Sequence, residues 1–505
     1  MRTRTKMTLA TFGLDRSNRA PLHRQIYDGI REAILAGRLR PGARLPSSRT
    51  LAGELGSSRN TALAAFEQLV AEGYLEARSG SGTFVVRTLP ETLLRARPAR
   101  PQPARPLAER PAVSRRATAV LAAVTGLSRG PRDPRPFRPG LPALDAFPFE
   151  VWARLEARRW RLAPRHLLDY GDPAGHAPLR HAIAAYLGEA RGVRCEWDRV
   201  IIVAGSQQGL DLAARVLLDP GDAAWIEEPG YPGARGALEA AGLRLVPVPV
   251  DADGLDVEAG ARLAPRARLA YVTPSHQYPL GVTMSLARRL ALLEWARQAR
   301  AWIIEDDYDS EYRYVGRPLS ALQGLDTAGR VVYVGTLSKV LFPSLRLGYL
   351  VVPPSLVDVF AGARAIADRH APLIAQAVLS DFIEDGHFAR HIRRTRMLYA
   401  ERQAALLDVA RRELAGRLDV PAAGAGMHLV GWLPPGIRDR AAAQAAARHG
   451  VMAPPLSTYR MRPGGRGGLM LGYAAFTPRE IRDAGRRLAQ ALGEMAGRPA
   501  GQGAE

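Results

Sequence analysis

The sequence predicts an α/β protein with three parts: a small helical amino-terminal unit, a large domain built on a mainly parallel sheet, and a smaller α+β subdomain at the carboxyl end. Two observations carry this prediction. From about residue 140 onward, short apolar runs alternate with helical patterns, as in domains whose strands are joined by helices. The first 88 residues carry compact helical patterns of their own and are followed by a stretch rich in proline and arginine.

The composition of the 505-residue chain is that of an ordinary globular protein, with 47% hydrophobic and 24% charged residues. Lysine and arginine number 70 against 49 acidic residues, and the net charge of +21 favours a polyanionic partner. The single cysteine, Cys195, excludes a disulfide framework and a cysteine-based zinc site, and we expect no metal site. Because no run of eighteen apolar residues occurs, the sequence predicts a soluble, cytoplasmic protein with no membrane partner.

The amino-acid composition and the hydrophobic pattern change along the chain, and these changes predict the domain bounds. The stretch after the first unit includes RARPARPQPARPLAERP, which buries little apolar surface and is expected to form an extended linker. The predicted segments are an amino-terminal unit (1–88), a linker (89–139), a large domain (140–371), a small subdomain (372–495) and a flexible tail (496–505).

Three helices are predicted in the amino-terminal unit. Apolar residues at helical spacing, beginning at Leu22, indicate an amphipathic helix over residues 21–36. Ser47-Ser48-Arg49 opens a second helix, and Ser57-Ser58 caps a third, RNTALAAFEQLVAEGYL. The predicted inward stripe of the third helix consists of Leu63, Phe66 and Leu69.

The segment EARSGSGTFVV completes the unit as two short strands around a glycine-rich turn. Three helices and a hairpin in this order form a winged helix-turn-helix, in which the amino end of the third helix meets the base edges of DNA. Arg59, Asn60 and Thr61 lie at that end of the predicted helix.

The order PLHRQI…IREAILAGRLRPGARLPSSRTLAGELGSSRNTALAAFEQLVAEGYLEARSGSGTFV resembles the DNA-binding domain of GntR-type regulators along its whole length. The resemblance implies a double-stranded DNA operator as partner. It implies a face toward DNA formed by Ser48, Arg49, Ser58, Arg59 and Thr61. It also implies a wing near the minor groove or backbone formed by Arg78, Ser79, Gly80 and Gly82. The alternative interpretation is that the arginines are solvated surface charges and the glycines only form a hairpin turn.

Six apolar runs predict buried strands in the large domain, namely RVIIVAG, AAWIEEP, LAYVTPS, AWIIEDD, VVYVGT and LGYLVVP. Polar and aromatic side chains follow the ends of several runs. Because ligands bind at the carboxyl ends of the strands in open α/β sheets, we expect these side chains to share one crevice. They are Ser206, Gln207, Tyr231, His276, Asp306, Tyr308, Thr336 and Ser338.

Lys339 is one of only two lysines in the chain, the other being Lys6, whereas the remaining 68 of the 70 basic residues are arginine. Arginine cannot supply a free amine, but lysine can form a Schiff base. The segment VVYVGTLSKVLF places Lys339 just after a predicted strand. One alternative is that this lysine is present by chance. We interpret Lys339 instead as a residue whose free amine is required for a reaction.

An amine, a carboxylate, an aromatic ring and a helix amino end together meet the chemical demands of pyridoxal 5′-phosphate. Lys339 would bond to its aldehyde, Asp306 would pair with its pyridine nitrogen, Tyr308 would bond its ring hydroxyl, and Tyr231 would stack on the ring. The predicted phosphate ligands are Ser206, Gln207, Ser338 and Arg346, with Thr336 in the same cofactor-binding set. A solvated acidic strand end is the alternative interpretation of EDDYD, and His276 is either a structural residue or a cofactor contact.

Residues 140–490 resemble fold-type I aminotransferases through YGDPAGHAPLRHAIAAYL, AGSQQGLDL, EEPGYPG, TPSHQYPLG, EDDYDSEY and GTLSKVLFPSLRLGYL. The resemblance implies a homodimer in which Tyr170 reaches the phosphate of the neighbouring subunit. Two positions depart from the family pattern. Tyr278 stands where an asparagine is usual, and Met470 stands where an arginine binds the substrate carboxylate, for which Arg460 or Arg462 is an alternative ligand. The departures predict weak or absent transaminase activity with cofactor binding retained.

A GntR-like reader joined through a linker to an aminotransferase-like domain resembles the MocR family of bacterial regulators, and PSHQYPLG and EDDYDSEYRY are characteristic of that family. The resemblance implies a head-to-tail, domain-swapped homodimer that senses pyridoxal 5′-phosphate or an amino compound through aldimine chemistry at Lys339. The alternative is an active aminotransferase with an accessory DNA-binding domain. A nonspecific architectural DNA binder would explain the net charge but not the cofactor residues.

Overall fold

The computed structural model contains two compact units, Met1–Pro111 and Ala112–Glu505. The structure describes residues 13–18, 20–88, 113–114, 117–118, 135–162, 164–316 and 320–496. Most of the predicted linker and nearly all of the predicted tail lie outside these residues, as does Lys6. The domain bounds of the sequence analysis therefore stay predictions.

The first unit consists of three helices followed by an antiparallel hairpin, which confirms the predicted winged helix-turn-helix. Its elements are α1 (Leu22–Leu35), α2 (Ser48–Glu54), α3 (Arg59–Ala71), β1 (Leu75–Arg78) and β2 (Gly82–Val85). Serine side chains begin two of the helices. Ser47 accepts a hydrogen bond from the Thr50 amide and Ser58 accepts one from the Thr61 amide, so each hydroxyl satisfies a free N–H group of a first helical turn.

The core of the first unit forms where α1 and α2 pack on α3. Buried residues of α3 follow helical spacing at Ala62, Ala65, Phe66 and Leu69. The predicted inward position of Leu63 is wrong, because that side chain is 39% exposed. Ala62 and Ala65 occupy the centre of the inward stripe, so Leu63 lies at the edge of that stripe. The prediction considered only large apolar residues and therefore placed Leu63 inward.

As predicted, the second unit is built on a mainly parallel sheet; the structure shows that this sheet is mixed and has eight strands. Their order across the sheet is β3-β10-β9-β8-β7-β4-β5-β6. The strands are β3 (Val200–Val203), β4 (Ala223–Glu228), β5 (Arg244–Asp251), β6 (Gly254–Leu255), β7 (Leu269–Val272), β8 (Trp302–Asp307), β9 (Val331–Thr336) and β10 (Gly348–Val351). The five neighbouring strands β9, β8, β7, β4 and β5 are parallel, whereas β10 is antiparallel to both of its neighbours and β6 is antiparallel to β5.

Helices pack against this sheet, and its central strands β7 and β9 are buried along their length, which explains their continuous apolar runs. The helices described in the second unit, including those of its carboxyl-terminal part, are α4 (Phe149–Arg161), α5 (Ala177–Arg191), α6 (Ser206–Leu217), α7 (Pro232–Ala240), α8 (Val257–Leu263), α9 (Leu286–Ala299), α10 (Leu322–Leu325), α11 (Val357–Asp368), α12 (Leu373–Glu384), α13 (His387–Glu413), α14 (Asp439–Arg448) and α15 (Pro478–Ala496). In the part of the chain that the structure describes, none of the helices is both long and apolar enough to cross a bilayer.

Strand β5 was absent from the predicted set because its segment, RLVPVPVD, contains two prolines. Proline removes a backbone donor and is confined to the edges of sheets. The structure satisfies this rule, since β6 pairs only with the last two residues of β5 and leaves the stretch with Pro247 and Pro249 at an edge.

The carboxyl-terminal part consists of α13, α14, α15 and a two-stranded antiparallel sheet of β11 (His428–Trp432) and β12 (Gly468–Gly472). The long helix α13 joins two cores. Phe388 near its start packs with side chains of the sheet domain, whereas Tyr399 and Leu406 pack with the carboxyl-terminal core. Phe137 pairs with Gly472, so the segment just before the sheet domain lies beside the end of β12.

Candidate functional site

The amino end of α3 presents basic and polar side chains to solvent, as predicted for a DNA-reading helix. Arg59 and Asn60 are exposed, and so is Arg49 in the first turn of α2. Ser58 and Thr61 are close to each other, with their hydroxyl oxygens 2.8 Å apart. These two hydroxyls hold the cap of α3 in place, so their predicted contact with DNA would come in addition to a structural role.

The hairpin has the wing geometry that the glycines indicate. Gly80 and Gly82 have φ angles of +69° and +110°, which favour glycine. Arg78 lies over the Phe84 ring at 4.7 Å and pairs with Glu76, so its guanidinium is fixed on the surface of the wing.

Arg44 is a candidate DNA contact that the sequence analysis missed. It lies outside the hairpin sequence, but a β-bridge joins it to Phe84 of β2. A Cβ atom at Gly82 would lie 2.9 Å from Arg44 Nε, so glycine lets this guanidinium lie against the wing. The spacing of residues gave no signal of this contact.

A cavity of about 260 Å³ lies in the second unit, at the carboxyl ends of the parallel strands. Nine of the predicted cofactor residues line it: Ser206, Gln207, Tyr231, Asp306, Tyr308, Thr336, Ser338, Lys339 and Arg346. The cavity is also lined by residues that the sequence analysis did not assign to the cofactor: Pro139, Gly140, Tyr271, Thr273, Tyr278, Pro343, Met427 and His428.

Lys339 lies in the cavity wall, and its Nζ atom donates a 2.8 Å hydrogen bond to the Gly140 carbonyl oxygen. Burial lowers the pKa of this amine, whereas the charges of Asp309 and Asp306 oppose that change, and Arg138 adds to it. A lowered amine pKa increases the neutral fraction that can act as a nucleophile. The environment of Lys339 is therefore that of a reactive amine rather than of a surface charge.

Asp306 is the carboxylate of the cavity, and its two oxygens differ. Oδ2 accepts a 2.8 Å hydrogen bond from the Tyr271 phenol, whereas Oδ1 is buried and has no hydrogen-bond partner among the described residues. Burial raises the pKa of Asp306 to about 7; Asp307 adds to this rise, while the bond from Tyr271 and the charge of Lys339 oppose it. A buried oxygen without a donor is costly, so a cationic N–H group from a ligand would stabilise it.

The cavity lining also carries hydrogen-bond donors suited to a phosphate, at Ser206 and Arg346. Helix α6 begins at Ser206 after Gly205, and its first-turn amides are free of helical partners. The Arg346 guanidinium donates to the Ala204 carbonyl oxygen at 2.7 Å, and a Cβ atom at Gly205 would lie 3.2 Å from it. The Gln207 side-chain amide already donates to the Gly233 carbonyl oxygen, so this residue can offer its backbone amide instead.

Aromatic side chains form another wall of the cavity. Tyr278 makes edge contacts with Tyr231, Tyr308 and His428, whose ring centroids lie 5.4–5.7 Å from its own. Tyr278, which stands where aminotransferases usually carry asparagine, is therefore part of an aromatic wall. His428 is neutral, because burial lowers its pKa to about 3 and the nearby Lys339 acts in the same direction.

Two predicted cofactor residues do not line the cavity. His276 is buried behind Tyr308, with its Nδ1 atom 2.9 Å from the Tyr308 hydroxyl oxygen. Tyr170 is 74% exposed, and the Arg369 guanidinium lies over its ring at 4.4 Å. Its contact with the phosphate of a neighbouring subunit stays a prediction.

The structure also places the residues considered for a substrate carboxylate. Met470 is fully buried and packs in an apolar cluster with Val430, Leu456 and Tyr459. Arg460 donates to carbonyl oxygens of its own loop, at Gly464 and Arg466. Among the described residues, neither Arg460 nor Arg462 lines the cavity. Arg346 is the arginine among the described lining residues, and it is one of the donors suited to a phosphate.

Comparison with known proteins identifies both units. Residues 22–85 match the family of bacterial regulatory proteins of the gntR type, and residues 140–488 match aminotransferase class I and II. The probable rhizopine catabolism regulatory protein MocR of Rhizobium meliloti is 45% identical over 477 residues, which are 93% of each chain. The pyridoxine biosynthesis transcriptional regulator PdxR of Corynebacterium glutamicum is 33% identical over 76% of this chain and 78% of its own.

Among solved structures, the α-aminoadipate aminotransferase LysN of Thermus thermophilus aligns with a TM-score of 0.68 and 29% identity, over 76% of this chain and 98% of its own. The second unit thus has the aminotransferase class I fold, which binds pyridoxal 5′-phosphate in homologues. The chain therefore belongs to the MocR family, whose members are transcription regulators with a GntR-type helix-turn-helix and an aminotransferase-like domain.

Proposed function

We propose that this regulator binds pyridoxal 5′-phosphate through Lys339, and that loading of the cavity, or its reaction with an amino compound, changes the affinity for an operator. The observation that carries the proposal is the buried, unpartnered Oδ1 of Asp306 in the same cavity as Lys339. A pyridinium N–H would satisfy this oxygen, and the amine and the donors at Ser206 and Arg346 fit the aldehyde and the phosphate.

The relatives support this assignment. The solved LysN structure is complexed with N-(5′-phosphopyridoxyl)-L-leucine, so the related fold holds this cofactor joined to an amino compound. The relative from Corynebacterium glutamicum is named as a regulator of pyridoxine biosynthesis, and the relative from Rhizobium meliloti as a regulator of rhizopine catabolism. Relatives of this chain are thus named for the control of a biosynthetic and of a catabolic process, and we keep both the cofactor and an amino compound as candidate effectors.

When bound, pyridoxal 5′-phosphate supplies an aldehyde that bonds to amines and a ring that withdraws electrons. The residues of this chain do the rest. Lys339 offers a partly neutral amine, because burial lowers its pKa. Asp306 holds a proton on the ring nitrogen, and Tyr308 contacts the ring hydroxyl. Arg346 and the amino end of α6 orient the phosphate.

Sensing requires less of the site than turnover does. A ligand shifts a regulator only by its differential affinity for two states, whereas transamination needs a substrate held within a fraction of an ångström. The buried Met470 and the engaged Arg460 leave the described lining without a second arginine for a substrate carboxylate. We therefore favour a sensor in a homodimer over an aminotransferase with an accessory DNA-binding domain.

The test couples cofactor binding to DNA binding in one preparation. Double-stranded DNA selected from a random library would serve as operator, and its affinity would be measured for the cofactor-free protein, the loaded protein and the loaded protein with candidate amines. We expect a visible absorbance band on loading and a change of operator affinity of at least about fivefold, the lower end of typical coupling. If no band appears on loading, or if neither the cofactor nor any candidate amine changes the operator affinity, the proposal is overturned.

A further inference from the structure

We propose that His276 and Asp309 form a positioning pair that directs the phenolic proton of Tyr308 into the cavity. The inference rests on the proposed function, in which the Tyr308 phenol contacts the ring hydroxyl of the cofactor. It gives a role to two residues from the segments PSHQYPLG and EDDYDSEYRY, of which neither lines the cavity.

The geometry of the three side chains is that of a relay. His276 Nδ1 lies 3.0 Å from Asp309 Oδ2 and 2.9 Å from the Tyr308 hydroxyl oxygen. His276 and Asp309 are 2% and 1% exposed, so water cannot replace either contact. Tyr308 itself lines the cavity. The pair therefore lies directly behind the phenol, on the side away from the ligand.

Two glycines fix the imidazole in this position. A Cβ atom at Gly426 would lie 2.1 Å from Cε1 of His276 and 2.4 Å from its Nε2. A Cβ atom at Gly281 would lie 3.1 Å from the same Nε2. Both glycines have positive φ angles, +97° and +77°, which side chains rarely adopt. The backbone thus closes around the ring, and the chain has a slot fitted to an imidazole.

The hydrogen bonds assign the proton of the ring. A carboxylate accepts only, so Asp309 requires a proton on His276 Nδ1. The Nε2 atom is buried without a partner in the described structure, and a neutral lone pair there is less costly than a charged N–H would be. His276 is therefore the neutral tautomer that carries its proton on Nδ1.

The direction of the phenolic proton follows from this tautomer. The shared Nδ1–H group donates to both Asp309 and Tyr308, so the Tyr308 oxygen acts as an acceptor toward the pair. Its own hydrogen then points away from His276 and toward the cavity. Without His276, that hydrogen would be free to turn toward a neighbouring acceptor such as Asp309. The pair thus keeps Tyr308 as a donor to the ligand.

The tautomer can be tested without any cofactor. Protein labelled with ¹⁵N-histidine contains ten histidines, and the His276 signals are assigned by their loss in His276→Asn. Long-range ¹H–¹⁵N spectra should show a neutral ring protonated on Nδ1. A ring protonated on Nε2, or on both nitrogens, at neutral pH would overturn the proposal.

The effect on the ligand site is tested by the affinity of the full-length protein for pyridoxal 5′-phosphate, measured by protein fluorescence. His276→Phe fills the slot but donates nothing, and we expect about a tenfold loss of affinity, as for one hydrogen bond to a charged group. His276→Asn keeps a donor close to the Nδ1 position. Its affinity for pyridoxal 5′-phosphate should therefore stay within about threefold of the wild-type value, because most of the hydrogen bond is kept.

A double-mutant cycle separates positioning from packing. In a Tyr308→Phe background no phenolic proton is left to direct, so His276→Phe should have little further effect on affinity. Additive losses, or equal losses in His276→Asn and His276→Phe, would overturn the positioning role. Failure of the wild-type protein to bind pyridoxal 5′-phosphate would overturn the proposed function and this role together. If the wild-type protein binds the cofactor but the cycle is additive, only the positioning role is overturned.

Discussion

The phenol of Tyr271 donates a hydrogen bond to Oδ2 of Asp306 and leaves Oδ1 of the same carboxylate buried without a partner in the described structure. Both residues lie at the carboxyl ends of neighbouring parallel strands, β7 and β8. The tyrosine therefore orients the carboxylate and satisfies half of it. The remaining oxygen lacks a donor, and Asp306 lines the cavity, which makes it the residue whose replacement is most informative.

We predict that Asp306→Asn lowers the affinity for pyridoxal 5′-phosphate by at least about tenfold, because a charge-assisted bond to a cationic ring nitrogen is worth roughly 1.5–3 kcal/mol. Titration of the cofactor into the variant, followed by visible absorbance, measures the change. Tyr271→Phe is the matched control, since it removes the bond to Oδ2 but keeps the charge, and its loss should be clearly smaller. Equal losses in the two variants would mean that orientation rather than charge matters.

The pH dependence of stability offers a second prediction for the same residue. Burial raises the pKa of Asp306 from its ordinary value of 3.8 to about 7. The folded protein therefore holds this proton more tightly than the unfolded chain does. The contribution to stability is fully present below pH 3.8 and is lost as the pH rises through 7.

We expect the cofactor-free Asp306→Asn variant to be more stable than the wild type at pH 8, by an amount on the order of a few kcal/mol, and similar to it near pH 4. Denaturant unfolding of both proteins across this range measures the difference. A wild type that is as stable as the variant at pH 8 would show that the buried carboxyl is not costly.

The role of Lys339 is tested by two substitutions. Lys339→Ala removes the amine, and Lys339→Arg keeps a positive charge that cannot form a Schiff base. Neither variant should give a covalent adduct after borohydride treatment, whereas the wild type should be labelled at this residue. Mass spectrometry of the digested protein is the measurement. Labelling of either variant would locate the reactive group elsewhere, for example at Lys6.

Much of the site could be predicted because its residues follow strands in a fixed order. Asp306, Thr336 and Lys339 each come at or just after the end of a continuous apolar run, and parallel strands bring such ends to one edge. Six strands of the sheet were predicted from such runs. Strands β5 and β6 were not, because the prolines of β5 are typical of turns and β6 is only two residues long.

Other parts could not be predicted because the sequence carries no local signal for them. His428 reaches the cavity from β11, more than 85 residues after Lys339, and no spacing rule connects the two positions. Tyr271 lies within an apolar run, where a tyrosine is as typical of a core as of a site. The sequence also does not show that Tyr308 lines the cavity while His276 lies behind it, because the tertiary packing alone determines on which side of the phenol the imidazole lies.

Recognition of DNA should be divided between α3 and the wing. Arg59→Ala is expected to cost about 1–3 kcal/mol if the side chain contacts a base with two hydrogen bonds, and to relax sequence preference. Arg78→Ala should weaken binding to all sequences alike, because Arg78 is held on the wing by Glu76 and Phe84. Competition between selected and random double-stranded DNA distinguishes the two effects. A uniform loss in Arg59→Ala would make it a phosphate contact only.

The last prediction concerns turnover, which we expect to be far below the usual enzymatic median of ~10 per second. The described cavity carries one arginine among its lining residues, Arg346, and the phosphate would occupy it. Met470→Arg should not restore activity, because the new charge would be buried unpaired among Val430, Leu456 and Tyr459 and should destabilise the protein by about 3–5 kcal/mol. The loaded protein would be assayed with a panel of amino acids and 2-oxoglutarate while operator affinity is followed. Turnover near the median, with operator affinity indifferent to cofactor and substrate, would identify an enzyme rather than a sensor.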